Sequence, residues 1–369
     1  VDLGVGVYRD ETGHTAIMSA IKKAAQKHLE TEESKTYISP AGVEGFVEGV
    51  KQLVFSTEST ALVDNRIAGL QTPGGCGALR IGSELLKRLK NDNLTVWLSD
   101  PTWANHVPLI SATGLKTAVY PYFDKTTGAV NFDAMDSSLA NLGANDVILI
   151  HGCCHNPSGA DLAFEHWQRI AERASKQGFI PFIDLAYQGL GDGVEEDVLG
   201  VRYLSEQVGE MLVATSCSKN FGLYRERTGS LLVQTSSATQ ANAVLTQVQE
   251  AARASYSMSP AYGGFLVDKI LNNEDLRIEW ETELNAMAKR IKSLRAGLLA
   301  KIQERDIDKD FSFITSQKGM FTLLGISKEQ VHRLRNEYAI YMADSSRINV
   351  AGLNNHCLDY VADALEAVI

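Results

Sequence analysis

The chain has 369 residues, of which 44% are hydrophobic and 22% are charged. This length supports a large core and two domains. The formal net charge of −10 argues against a general nucleic-acid-binding protein, because such proteins need a positive field to meet phosphates. No apolar run is long enough to span a bilayer. The five cysteines are sparse and odd in number, which argues against a disulfide framework and predicts a reducing, cytoplasmic location.

Five short apolar runs rich in β-branched and aromatic residues predict buried strands. They span residues 94–100, 147–152, 179–184, 211–216 and 229–235. Their apolarity is continuous rather than alternating, which is typical of a sheet covered on both faces. Helical patterns lie between most of them, including residues 76–90 and residues 165–178, where Gly178 forms the C-cap. Alternating strands and helices predict a mainly parallel α/β sheet.

The pattern changes near residue 285. Apolar residues there recur at steps of three and four, which predicts a long amphipathic helix: Leu284, Met287, Ile291, Leu294, Leu298 and Ile302. Ser327 and Gln330 form a capping box before a further helix. We interpret residues 17–286 as a large domain, and residues 287–369 together with residues 1–16 as a smaller α+β domain. The first eight residues are predicted to form a short strand.

Polar, reactive side chains follow four of the predicted strands, at the point where each strand ends. In strand order they are Trp103 and His106, then Asn156, then Asp184 and Tyr187, then Lys219. Ligands of open α/β sheets bind beyond the carboxyl ends of the strands. We therefore expect these side chains to form one site.

A glycine-rich turn at residues 72–79 opens a helix and predicts an anion site, because free backbone N–H groups and the helix dipole favour negative charge there. Taken alone, the stretch is more simply a tight turn with a helix N-cap. It is not a P-loop, since no Gly-Lys-Ser/Thr follows, and it lacks dinucleotide-binding spacing. The glycines of residues 189–194 precede no helix signal and are interpreted as a plain loop.

Cys153 and Cys154 lie between His151 and His155, which raises the question of a zinc site. No second Cys/His cluster stands at metal-ligand spacing. Packing at a strand end is the better interpretation, and we expect no metal.

The side chains at the strand ends define the ligand that would fit them. The glycine turn and Arg227 call for an anion, and Asp184 calls for a cationic nitrogen. The Lys219 amine would react with an electrophile, and Trp103 would stack on a flat ring. Pyridoxal phosphate supplies all four features. Burial and nearby cations lower the pKa of a lysine, and its neutral amine is both nucleophile and base.

With these residues in place, the sequence resembles the aspartate/aromatic aminotransferases, pyridoxal-phosphate enzymes of fold type I. The motifs are "LGVGVYRDETG", "TPGGCGALR", "DPTWANH", "HGCCHNPSG", "DLAYQG", "SKNFGLYRERTG", "RASYS" and "SRINVAG". Their order and spacing match the family over nearly the whole chain. The resemblance implies a large domain with a mainly parallel seven-stranded sheet covered by helices, a smaller α+β domain, and a homodimer with sites at the subunit boundary.

The resemblance also implies roles for individual residues around the cofactor. Lys219 is the Schiff-base lysine and proton carrier, and Asp184 pairs with the pyridinium nitrogen. Trp103 stacks on the ring, while Tyr187 and Asn156 bind its hydroxyl oxygen. The phosphate is surrounded by Gly75, Cys76, Ser216, Ser218 and Arg227.

Substrate contacts are implied in the same way. Arg347 forks onto the substrate α-carboxylate, and Gly6 approaches the substrate by its backbone, with Trp103 and Asn156 close by. The resemblance also implies that His106 supports the Asp184 side chain, with His155 nearby. Two residues are implied to cross to the neighbouring subunit's site: Tyr37 to the phosphate and Arg253 to the distal carboxylate of a dicarboxylic substrate. Taken singly, Arg253 and Arg347 have the simpler interpretation of solvated charges.

Two positions depart from the family pattern. Cys76 stands where a hydroxyl is usual, and a thiol is a weaker donor. Met258 replaces a residue that is usually small or polar beside the substrate channel. Arg9 and Thr15 resemble aspartate-preferring members.

We therefore predict an aminotransferase that moves the amino group of aspartate to 2-oxoglutarate by a ping-pong mechanism. The alternative is an aromatic-amino-acid aminotransferase acting on tyrosine or phenylalanine. A non-catalytic relative that binds the cofactor, and other pyridoxal-phosphate chemistry such as decarboxylation, are more distant alternatives.

Overall fold

The computed structural model describes residues 1–90 and 93–369. Its strands are, in chain order, β1 (Ile67–Pro73), β2 (Thr95–Asp100), β3 (Lys116–Pro121), β4 (Phe123–Asp124), β5 (Ala129–Val130), β6 (Asp146–His151), β7 (Ile180–Leu185), β8 (Met211–Ser216), β9 (Thr228–Gln234), β10 (Phe321–Leu323) and β11 (Arg347–Asn349).

The helices are α1 (Ser19–Thr31), α2 (Glu44–Phe55), α3 (Thr60–Val63), α4 (Gly74–Lys90), α5 (His106–Ser111), α6 (Phe132–Leu139), α7 (Phe164–Gln177), α8 (Leu199–Gln207), α9 (Ala238–Tyr256), α10 (Ala261–Leu271), α11 (Glu274–Gln303), α12 (Phe313–Ser316), α13 (Lys328–Tyr338) and α14 (Leu358–Val368). Within the described ranges, no helix is both long enough and apolar enough to cross a bilayer.

A seven-stranded sheet forms the centre of the molecule, with the strand order β1-β9-β8-β7-β6-β2-β3. Strand β9 runs antiparallel to both of its neighbours, and the other pairs are parallel. The predicted fold class, a mainly parallel α/β sheet covered by helices, is confirmed. The five predicted runs form β2, β6, β7, β8 and β9. The two edge strands, β1 and β3, escaped prediction because polar residues and glycine interrupt their apolar character.

Both faces of this sheet are buried, which explains the continuous apolar runs. In β6, Ile148 and Ile150 belong to one core cluster, and Val147 and Leu149 belong to the other. Each such side chain contributes about 1.5–3 kcal/mol when it leaves water. A strand with two buried faces cannot alternate between apolar and polar residues.

The helix predicted near residue 285 is α11, and it begins earlier in the chain, at Glu274. Asn273 caps it by accepting from the N–H of Leu276. Near its start, the fully buried Trp280 stacks on Phe221, with ring centroids 4.4 Å apart and planes 3° apart. The α11 helix is thereby attached to the loop between β8 and β9, which carries Lys219.

The prediction that the first eight residues form a strand is wrong. The Leu3 N–H donates to the Tyr341 carbonyl at 2.8 Å, and the Leu3 carbonyl accepts from the Asn349 N–H at 2.7 Å. Among the described residues these contacts amount to one isolated bridge, between Asp2 and Tyr341, and not to a strand. Further along, the side-chain amide of Asn349 donates to the carbonyls of Val5 and Val7, at 2.7 Å each. Side-chain donors therefore satisfy carbonyls that a neighbouring strand would otherwise pair.

Replacing Trp280, which stacks on Phe221 in the loop between β8 and β9, should destabilise the fold. We expect Trp280→Ala to lower the free energy of unfolding by about 3–5 kcal/mol, because a large buried ring leaves a cavity. Urea denaturation at one fixed protein concentration measures the change. Ile278→Ala, on the same helix at a position 57% exposed, is the control and should stay within about 0.5 kcal/mol of the parent. Equal effects of the two changes would contradict this description of the packing.

Candidate active site

A cavity of about 320 Å³ opens where β6, β7 and β8 end and α4 begins. It brings together twelve residues that the sequence singled out: Gly6, Gly75, Cys76, Trp103, Asn156, Asp184, Tyr187, Ser216, Ser218, Lys219, Arg227 and Arg347. It is also lined by Leu79, His151, Ala186, Tyr224 and Phe321. These residues come from segments far apart in the chain. The parallel strands β6, β7 and β8 place those that follow their ends at one edge of the sheet.

Lys219 lies in the loop that follows β8, with its Nζ 4.9 Å from the centroid of the Tyr187 ring. Burial lowers the pKa of the Lys219 amine, and the Arg227 cation lowers it further, while Asp184 acts in the opposite direction. The net direction is downward. A lysine with a lowered pKa offers more of its neutral, nucleophilic form near neutral pH.

Asp184 is a buried carboxylate near the end of β7, paired in register with His151 of β6 and Ala214 of β8. Its Oδ2 lies 3.0 Å from His106 Nε2, and the other ring nitrogen of His106 lies 2.7 Å from the Thr102 hydroxyl. Burial raises the pKa of Asp184, but the hydrogen bond from His106 and the neighbouring positive charges outweigh burial and lower it overall. This buried anion can hold a cationic nitrogen in the cavity.

Two further histidines, His151 and His155, form a row of rings with His106, with centroids 5.1 Å apart from His106 to His151 and 4.3 Å apart from His151 to His155. Burial lowers the pKa of His151 to about 3, so its ring is neutral. Neither ring nitrogen of His151 has a hydrogen-bond partner among the described residues. His155 is fixed between the hydroxyls of Ser99 and Ser158, at 3.0 and 2.8 Å. His155 lies behind the cavity rather than in its lining, and His151 lines it.

An anion cradle is formed at the N-terminus of α4, which starts directly after β1. The first N–H groups of a helix have no partner within it and favour an anion. The Arg227 guanidinium lies against this terminus, since a Cβ added at Gly74 would sit 2.6 Å from its Nη2. The backbone of Arg227 has a φ of 51°, a left-handed conformation that costs about 1–2 kcal/mol and is often found at functional sites. Ser216 and Ser218 border the cavity beside this cradle.

Arg347 enters the cavity from β11. Its Nη1 donates to Asn156 Oδ1 at 3.2 Å, and its Nη2 donates to the carbonyl of Gly4 at 3.1 Å. The guanidinium lies 4.5 Å from the centroid of the Phe321 ring. The Nε of Arg347 is buried and has no partner among the described residues. A planar guanidinium that lines the cavity suits a carboxylate.

Tyr37 and Arg253 do not line this cavity within the described part of the chain. Tyr37 is 91% exposed, and Arg253 lies on an exposed part of α9. Cys76 lines the cavity, and its sulfur accepts from the amide of Asn105 at 3.7 Å.

Cys153 and Cys154 lie close to Asp197, with possible ligand atoms within 4.8 Å of one another. The Asp197 carboxylate accepts from the N–H groups of Gly189 and Gly191, at 2.8 and 2.9 Å, which orders the glycine loop. These hydrogen bonds give the Asp197 carboxylate a structural role. That no metal binds here stays a prediction.

Two aromatic residues of the site, Tyr224 and Phe321, were missed from the sequence. The Tyr224 hydroxyl accepts from the N–H of Tyr8 at 2.9 Å, and burial raises the pKa of Tyr224 to about 12. Its position five residues after Lys219, in the same quoted motif, was a usable signal. Phe321 carried no such signal, because an aromatic residue in a short strand resembles ordinary core.

The residues of the cavity fit pyridoxal phosphate. A buried carboxylate, Asp184, can face the ring nitrogen, and Lys219 has a lowered pKa. The space beside Gly74, Arg227 and the start of α4 suits a phosphate.

Comparison with known proteins agrees with this chemistry. The family model "Aminotransferase class I and II" matches residues 1–365. The aspartate aminotransferase of Escherichia coli strain K12 is 41% identical, covering 100% of this chain and 93% of that protein. The aromatic-amino-acid aminotransferase of Paracoccus denitrificans is 43% identical, over 99% of this chain and 92% of that protein. The crystal structure of the Burkholderia pseudomallei aromatic-amino-acid aminotransferase, covalently bound to pyridoxal phosphate, has a TM-score of 0.97 at 38% identity and covers 100% of this chain and 92% of that one.

The fold and the site define a pyridoxal-phosphate-dependent aminotransferase. The chain belongs to the class I and II aminotransferase family, as the sequence resemblance predicted. Its relatives are named for both aspartate and aromatic amino acids, so membership of the family leaves the substrate open.

Adding a methyl group to the anion cradle should weaken cofactor binding. In Gly74→Ala the Cβ would displace the Arg227 guanidinium, and the loss of a hydrogen bond to a charged group costs about 1.5–3 kcal/mol. We expect the Kd of pyridoxal phosphate to rise about 10- to 100-fold, measured by titrating the apoprotein. Gly143→Ala is the control, because its Cβ would meet no atom within 4 Å. An unchanged Kd in Gly74→Ala would rule out this arrangement of the cradle.

Proposed function

We propose that the protein moves the amino group of aspartate to 2-oxoglutarate by a ping-pong mechanism, with aromatic amino acids as the alternative donors. The observation that carries this proposal is one cavity lined by Lys219, the buried Asp184 and Arg347. An amine, a ring-nitrogen partner and a carboxylate receptor are what amino-group transfer requires.

Lys219 is proposed as the catalytic residue. When bound, pyridoxal phosphate supplies an electrophilic aldehyde and a ring that takes up the electron pair left when the substrate Cα–H bond breaks. The neutral Lys219 amine holds the cofactor and, once released, moves the proton between the substrate Cα and the cofactor's C4′. Its lowered pKa supports this role, since the amine must be unprotonated to accept the proton.

Four residues are proposed to orient the cofactor ring. Asp184 keeps the ring nitrogen protonated, and the hydrogen bond from His106 keeps Asp184 ionised. Trp103 stacks on the ring. Tyr187, with Asn156, binds the ring hydroxyl oxygen, and both are buried beside Lys219. The phosphate is proposed to bind among Gly75, Cys76, Ser216, Ser218 and Arg227.

Arg347 is proposed to bind the α-carboxylate of the substrate, with Gly6 contributing its backbone. The distal carboxylate of aspartate would meet Arg253 of a second subunit, and Tyr37 would reach the second subunit's phosphate. The high exposure of these two side chains in the single chain supports a homodimer with shared sites.

Arg9 and Thr15, which resemble the residues of aspartate-preferring members of the family, support aspartate over an aromatic donor. Arg9 pairs with Asp2 at 3.0 Å, and the Thr15 hydroxyl donates to the Tyr8 carbonyl at 2.8 Å. Both contacts hold the N-terminal segment that brings Gly6 to the cavity. Because relatives of similar identity are named for aromatic substrates, tyrosine and phenylalanine stand as the alternative.

The domain division and the cellular location are also proposals. Residues 17–286 would form the large domain, and residues 1–16 with 287–369 the small one, which would close over the substrate and exclude water. The described cysteines are all free of disulfides, which supports a cytoplasmic location.

Removing the proposed catalytic amine should abolish turnover. We expect Lys219→Ala to lower kcat by roughly 10²–10⁴-fold or more, because nucleophile and proton carrier are lost together. Coupled assay of keto-acid formation from aspartate measures this, with the exposed Lys22→Ala as the control. Part of the cofactor binding should survive in the Lys219 variant, since the cradle is intact. Normal turnover would overturn the assignment.

Replacing Arg253, the proposed receptor for the distal carboxylate, should impair turnover of aspartate more than turnover of phenylalanine. We expect Arg253→Ala to lower kcat/KM for aspartate about 10- to 100-fold, the effect of one charged hydrogen bond. Phenylalanine, which lacks a second carboxylate, should lose less than about threefold. Arg277→Ala, at an exposed ion pair on α11, controls for general loss of charge. Equal losses for both substrates would mean that Arg253 does not bind the distal carboxylate.

A further inference from the structure

Arg295 is a charged side chain in the interior of the protein, on α11. Its exposure is 2%, which places it among the largest fully buried side chains. Burial lowers the pKa of Arg295 to about 10, so it remains a cation at neutral pH. A buried cation is costly unless it is well hydrogen-bonded. Ordinary packing therefore does not account for a charged Arg295 side chain at this position.

All the hydrogen bonds found for Arg295 among the described residues go to backbone carbonyls. They are to Ile314 at 2.9 Å, Lys318 at 3.1 Å, Gly319 at 2.8 and 3.2 Å, and Phe321 at 2.6 Å. These carbonyls belong to one stretch, residues 314–321, which leads into β10. A planar guanidinium with five fixed donors holds such a stretch in one conformation.

The stretch ends at Phe321, whose side chain lines the active-site cavity. The Arg347 guanidinium lies 4.5 Å from the centroid of this ring. A Cβ added at Gly6 would come within 3.0 Å of the ring's Cζ, and Tyr187 meets the ring edge to face at 6.1 Å. The Phe321 ring thus forms the part of the cavity wall that packs against the Arg347 guanidinium.

A second route leads from Arg295 to Arg347 through the loop that carries Asn156. In that loop Gly159 has a φ of +73°, and a Cβ there would overlap the Phe321 carbonyl and lie 3.2 Å from Arg295 Nη2. The side-chain oxygen of Asn156 accepts from Arg347 Nη1 at 3.2 Å. Two of the three groups that contact the Arg347 guanidinium, Phe321 and Asn156, therefore lie in segments that pack against Arg295. The third is the Gly4 carbonyl.

We propose that Arg295 is a positioning residue that sets the orientation of the Arg347 guanidinium for the substrate α-carboxylate, acting through Phe321 and the Asn156 loop. This inference rests on the proposed role of Arg347. Arg295 itself does not touch the substrate. A purely structural arginine would affect stability and all substrates alike, whereas a positioning residue for Arg347 affects substrates that carry a carboxylate.

The test compares two amine donors that differ in the carboxylate alone, phenylalanine and phenethylamine. Each is mixed with the holoenzyme, and the amino-transfer half-reaction is followed by cofactor absorbance. In Arg295→Lys and Arg295→Met we expect the second-order rate constant with phenylalanine to fall at least tenfold, mainly through weaker binding. The constant with phenethylamine should stay within about threefold of the parent, and the Kd of pyridoxal phosphate should not change.

Arg277→Met, on the same helix, is the matched control and should alter neither constant. Equal losses for the two donors in the Arg295 variants, or a lower melting temperature with an unchanged ratio, would overturn the positioning role. If both Arg295 variants fail to fold, Phe321→Leu takes their place, because the proposed route passes through this ring. An unchanged ratio of the two constants in Phe321→Leu would then overturn the proposal.

Arg347→Lys distinguishes failure of this inference from failure of the proposed function. A loss confined to phenylalanine in Arg347→Lys, without one in the Arg295 variants, would refute the positioning role and leave the carboxylate receptor in place. Equal losses for both donors in Arg347→Lys would refute the receptor, and the positioning role would fall with it.

Discussion

The proposed chemistry of this protein depends on a lysine amine held largely out of water near a buried carboxylate. Burial alone favours the neutral forms of both Lys219 and Asp184. The hydrogen bond from His106 lowers the pKa of Asp184 despite burial, whereas desolvation prevails at Lys219 and lowers its pKa. One site therefore contains a stable anion and a readily deprotonated amine. A cofactor with a cationic ring nitrogen and an aldehyde uses both.

The sheet brings these groups together. Strands β7 and β8 are parallel neighbours, so Asp184 near the end of one and Lys219 after the end of the other lie at the same edge. The chain then returns along β9, antiparallel to β8, and the connecting loop carries Arg227 to the start of α4. Buried aromatic packing between Phe221 and Trp280 attaches this loop to α11. Side chains on α11 thus support two walls of one cavity, through Trp280 and through Arg295.

Much of this arrangement could be predicted from the sequence, because both faces of the sheet are buried and its central strands are continuously apolar. The strand ends carry polar side chains that are uncommon in a core, so the candidate site residues stood out. The N-terminal strand was predicted wrongly, since nothing local indicates that Asn349 would take up the carbonyls of Val5 and Val7. Phe321 and Arg295 were missed because their importance lies in contacts between distant segments, which a linear pattern does not reveal.

The role of the Lys219 amine can be tested chemically, without any substrate. Borohydride reduction of the pyridoxal-phosphate-loaded protein fixes the cofactor to the amine that holds it, and digestion with mass spectrometry then locates the modified residue. We expect the pyridoxyl group on Lys219, in the peptide that also carries Asn220 and Phe221. A pyridoxyl group on another lysine, or none on the reduced protein, would contradict the assignment of this amine.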